Sequence, residues 1–90
     1  MNLYQFYIIL FELHDFLKVY INWKEEEIAS QEAIIAIILS MRTVSRQLPE
    51  EYQCSELLSS NVFALHGEEF RKLEKDISVY LEGLRTNALK

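Results

Sequence analysis

Phe70, Leu73, Ile77, Tyr80 and Leu84 recur at alternating steps of three and four residues, a spacing that only one regular structure satisfies. At about 100° per residue these side chains form one stripe along an α-helix, whereas a strand would scatter them over both faces. A helix over residues 68–85 is therefore expected, with that stripe buried against the rest of the chain. Gly67, immediately before it, suits the left-handed backbone found just past the end of a preceding helix.

The same spacing rule organises the upstream chain. In segment 3–21, Leu3, Phe6, Ile9, Leu10, Leu13, Phe16, Leu17, Tyr20 and Ile21 gather on one broad arc, which predicts a first core helix. Asn22, with Glu25 three positions on, could end it and cap the next helix; alternatively the helix runs to about Ile28 and Ser30 is the cap. A second helix over 31–47 presents Ile34, Ile37, Ile38, Met41, Val44 and Leu48 on one side. Pro49 fits the first position of a short third helix resting on Tyr52, Leu57 and Leu58, with Glu50 and Glu51 in its first turn, where carboxylates favour the positive end of the helix dipole. Ser59, Ser60 and Asn61 offer a break, after which Val62, Phe63 and Leu65 are expected to return to the core.

Two glycines and one proline in ninety residues are too few for the many turns of a sandwich or small barrel. The expected architecture is all-α: a small antiparallel four-helix bundle with a short third helix, residues 1–90 forming a single helical domain. Half of the residues are apolar, enough to fold a chain of this length around a thin core. A formal charge of −5 argues against a nucleic-acid partner, because such binding draws on clustered lysine and arginine. Cys54 is the only cysteine, which excludes an intrachain disulfide and points to a reducing, cytoplasmic setting. The N-terminal apolar stretch carries Glu12, His14, Asp15 and Lys18, and the run from Ala33 to Leu39 is far short of the roughly 20 residues of a membrane span. Neither a secretory signal nor a membrane association is expected.

Catalytic chemistry finds little to work with. His14 beside Asp15, and His66 three residues before Glu69, are the two His–carboxylate neighbours, and each supplies at most two of the three or four ligands a metal needs. Both histidines are read as solvated surface groups. Cys54 and the serines near His66 have no base and orienting group in local sequence. The expectation is a protein that is not an enzyme, with no metal and no cofactor.

Interaction surfaces are better marked. Tyr4, Tyr7, Ile8, Phe11 and Val19 fall off the main arc of the first helix, on the side expected to face water. Ile35 and Leu39 fall off the arc of the second helix and share a stripe with Arg42 and Arg46. Aromatic and arginine side chains are enriched at interface centres, so Tyr4, Tyr7, Phe11, Ile35, Leu39, Arg42 and Arg46 are candidate protein-binding residues. Between Arg46 and Arg71 there is no lysine or arginine, while Glu50, Glu51, Glu56, Glu68 and Glu69 lie there, so this stretch carries the whole formal charge. Glu50, Glu51 and Glu56, expected together on the third helix, form a second candidate surface that could steer a basic partner.

In outline, the short chain, the four expected helices, the acidity and the acidic third helix resemble the small helical immunity proteins that bacteria make against their own nuclease bacteriocins. The members directed against DNase colicins carry two adjacent tyrosines on the third helix; here Tyr52 stands alone, and no site residue is transferred. The resemblance implies an inhibitory protein masking a basic surface of a partner enzyme such as a nuclease toxin. The alternative is a homodimeric regulatory adaptor or secretion chaperone that uses the apolar surface of the first two helices.

Overall fold

A computed structural model describes residues 2–21 and 28–90. Four α-helices, α1 (Leu3–Ile21), α2 (Ile28–Arg46), α3 (Ser55–Ser59) and α4 (Glu68–Ala88), are joined after α2 by two short 3₁₀ turns, Glu50–Tyr52 and Val62–Ala64. No strand occurs among the described residues. α1 packs on α2 and on α4, and α3 packs on the same two helices from the other side. The four close a ring in which α3 sits across from α1, giving an elongated all-α bundle of 42 × 21 × 19 Å.

Local chemistry fixes the helix ends. Asn2 and Gln5 form a reciprocal box at the start of α1: the Gln5 N–H donates to Asn2 Oδ1 and the Asn2 N–H donates to Gln5 Oε1, both at 2.9 Å. α2 closes with the 3₁₀-type bonds Gln47 N–H to Val44 O and Leu48 N–H to Ser45 O, and Pro49 follows, where an amide donor would be needed to continue. At the start of α4 the His66 N–H donates to Glu69 Oε1 at 3.3 Å. Gly67 does adopt a positive φ of 40°, but it opens α4 instead of closing the helix before it.

The core is a continuous seam. Ile34, Ile38, Met41, Ser45 and Leu48 of α2 and its following turn are buried at steps of four and three, opposite Phe70, Leu73, Ile77, Leu81 and Leu84 of α4 and Leu10, Leu17 and Ile21 of α1. Leu57 and Val62 plug the α3 side with no exposed surface. No helix among the described residues is long and apolar enough to cross a membrane.

Several expectations require correction. The buried face of α1 is Tyr7, Leu10, His14, Leu17 and Ile21, so Tyr7 and His14 point inward, while Phe16, expected inside, is 58% exposed. His14 is therefore not a solvated group; it lies between α1 and α4 with Nε2 3.4 Å from Glu74 Oε1. The expected third helix is broken at Gln53–Cys54 into a 3₁₀ turn and the five-residue α3. Phe63 is 72% exposed instead of joining the core. Ser30 lies inside α2, not ahead of it. The alternative cap at Asn22 and Glu25 lies outside the described residues.

Candidate functional site

Two surfaces on opposite sides of the ring hold the candidate residues. The acidic one is built by the chain between α2 and α4. Gln53 fixes the first 3₁₀ turn to the end of α2, its Nε2 donating to Leu48 O at 2.9 Å and to Arg46 O at 3.3 Å. The Cys54 N–H donates to the buried Ser45 hydroxyl at 3.1 Å, and the Tyr80 hydroxyl of α4 donates to Tyr52 O at 2.5 Å. Arg42 completes the frame, its Nε donating at 2.8 Å to Leu57 O in α3, a carbonyl that so short a helix leaves without an intrahelical donor.

These bonds tie the first 3₁₀ turn and α3 to α2 and α4. Glu50 and Glu51 sit on the first 3₁₀ turn and Glu56 on α3, all exposed; the three belong to two elements, not to one helix as expected. Glu50, Gln53, Ser55, Leu58 and Ser59 line a shallow depression between them. Phe63 stands on the second 3₁₀ turn beside the fully buried Val62, which pins the turn and leaves the ring in water. Sequence reasoning missed Phe63 because Val62 and Phe63 are equally apolar, and only the turn decides which one enters the core.

The second surface is the outer side of α1, where Tyr4, Ile8, Phe11, Phe16 and Val19 are exposed. Tyr7, buried beneath them, lies against both flanking rings, with centroids 6.3 Å from Tyr4 and 5.8 Å from Phe11. Tyr7 thus supports this surface and does not form it. Ile35 and Leu39 are half-buried against the core, Arg42 is tied to Leu57, and only Arg46 of the expected α2 stripe is exposed, so that stripe is not an open seam.

Burial alters the acidity of two groups beside α3 and the first 3₁₀ turn, Cys54 and Tyr80. Burial pushes the Cys54 thiol up to about 11, and the Glu56 carboxylate nearby adds to the rise. Burial likewise pushes the Tyr80 phenol up to about 12. Neither group is ionised near neutral pH, which leaves Cys54 without the thiolate that nucleophilic chemistry requires. No group of three or more His, Cys, Asp or Glu side chains converges to hold a metal ion among the described residues. A cleft lined by Lys18, Ile21, Arg71, Glu74 and Lys75 gathers three cations, but carboxylates are already beside them: Asp15 is 3.4 Å from Lys18, and Glu68 is 3.3 Å from Arg71. Compared with models of known protein families, with curated proteins and with solved structures, the chain matches none of them.

Proposed function

We propose that this protein is an inhibitory, immunity-type binding protein whose surface around α3 covers a basic face of a partner enzyme, such as a nuclease toxin. The observation that carries the reading is Phe63, a largely exposed aromatic ring beside the fully buried Val62, within the one stretch of chain that has five glutamates and no lysine or arginine. Interfaces draw most of their affinity from a few aromatic or arginine anchors, and charge around the anchor sets encounter rate and specificity. An exposed anchor in an acidic stretch of chain fits a partner with an apolar socket on a basic face. The protein then acts by occlusion and needs no chemistry of its own.

Capture from a lysate of the native host at low ionic strength tests this directly. Immobilised wild-type protein retains a basic protein that added salt releases, whereas a variant carrying Glu50→Gln, Glu51→Gln, Glu56→Gln and Phe63→Ala retains none of it. Equal retention by both proteins would overturn the reading.

A further inference from the structure

We infer that the shallow depression between the first 3₁₀ turn and α3 seats an arginine side chain of a partner protein. This rests on the reading that the surface around α3 covers a basic face, and it names the group on that face that is gripped. Glu50, Gln53, Ser55, Leu58 and Ser59 line the depression. None of them carries a positive charge, and no lysine or arginine lies between Arg46 and Arg71.

Hydrogen bonding inside the protein consumes the donors of this lining and leaves its acceptors. Gln53 spends its amide nitrogen on the end of α2, with Nε2 donating to Leu48 O and Arg46 O, so Oε1 is the part of the amide left for another molecule. The Gln53 N–H is donated to Glu50 O at 3.1 Å. The Ser55 hydroxyl donates to Glu56 Oε2 at 3.2 Å, which leaves its oxygen lone pairs. The Leu58 N–H goes to Cys54 O, while the carbonyls of Leu58 and Ser59, at the end of α3, receive no donor among the described residues. Glu50 adds an exposed carboxylate. A group that only donates, and carries positive charge, is the complement of such a lining.

Lysine and arginine are the side chains of that kind, and the distribution of acceptors selects arginine. The acceptors stand on two elements, the turn with its following residue and α3. A guanidinium reaches both with five N–H donors in a planar fork, whereas an ammonium offers three around one point. Half-buried Leu58 gives the methylene stem an apolar contact. The bonds from Gln53 and Cys54 to α2 place the lining before a partner arrives, which lowers the ordering cost of binding.

Titration of the full chain with N-acetyl-arginine methylamide, followed by amide NMR, reads the depression without the partner. The amides of Gln53, Ser55, Leu58 and Ser59 should shift together and saturate with a Kd of about 1–10 mM, the weak range suited to a single side chain. The citrulline compound, alike in shape but uncharged, should bind at least about tenfold more weakly, and the lysine compound at least about threefold. Glu50→Gln should weaken the arginine compound about fivefold with unchanged circular dichroism, whereas Glu12→Gln, which removes an exposed charge from α1, should leave its Kd within about twofold. Shifts that do not saturate, equal binding of the citrulline or lysine compound, or equal loss in both variants would overturn the inference. The two readings fail separately. A wild-type protein that captures a basic partner but shows no arginine response overturns this inference alone, whereas an arginine response without a captured partner supports the chemistry of the depression and overturns the reading it rests on.

Discussion

Arg42 shows how one side chain can exchange an expected role for another. The sequence marks it as a candidate interface residue; in the structure its Nε–H reaches Leu57 O, which joins α2 to α3. Removing it leaves a part-buried carbonyl without a donor. Arg42→Ala is expected to lower stability by about 1.5–3 kcal/mol, the range for hydrogen bonds from charged groups, as read from urea melts. Cys54 makes a prediction in pH. Its pKa is raised in the folded protein from the ordinary 9.0 to about 11, so folding favours the neutral thiol. That contribution is fully present below pH 9 and is lost as pH rises through about 11, because the unfolded chain ionises first. Melts at pH 7 and pH 10.5 should therefore show a smaller alkaline loss for Cys54→Ala than for the wild type. The thiol should also resist alkylation at pH 8 until denaturant is added.

At the scale of elements, how much could be read from the sequence depended on how sharply each helix divides into two faces. α4 alternates charged and apolar residues so cleanly that Phe70, Leu73, Ile77 and Leu84 follow from spacing alone, although Leu81 is buried where the expected stripe had Tyr80, which is half-buried. Leu73→Ala or Ile77→Ala should each cost about 2–5 kcal/mol in urea melts, since both lie in the core. A loss below about 1 kcal/mol would mean that this face is not the core. α1 is apolar nearly all round, so no polar face fixes its rotation. Its buried arc is turned by about 60° from the expected one, at 100° per residue, which brings Tyr7 and His14 inward and Phe16 outward. The packing of α1 between α2 and α4 sets that rotation, and single-helix periodicity holds no information about it. The segment after α2 failed for a different reason. Pro49 and the glutamates signalled a helix start, but the hydrogen bonds of Gln53 and Cys54 to the end of α2 interrupt it after three residues.

At the scale of the molecule, the ring of helices sets two unlike surfaces back to back, an apolar one on α1 and an acidic one around α3. The all-α bundle and the acidic stretch were both legible, because periodicity and charge are properties of sequence. The exposure of Phe63 within that stretch was not, because it is set by a turn whose neighbouring residue Val62 is the one buried. The central claim is that the carboxylates around α3 steer a basic partner onto Phe63. It is tested most directly by stopped-flow association of the captured partner with the wild type and with Glu50→Gln, Glu51→Gln, Glu56→Gln, which keeps shape while removing three exposed charges. At low salt the association rate of the variant should fall by at least about tenfold, and the difference should shrink as ionic strength rises. An association rate equal to that of the wild type in low salt would contradict the account.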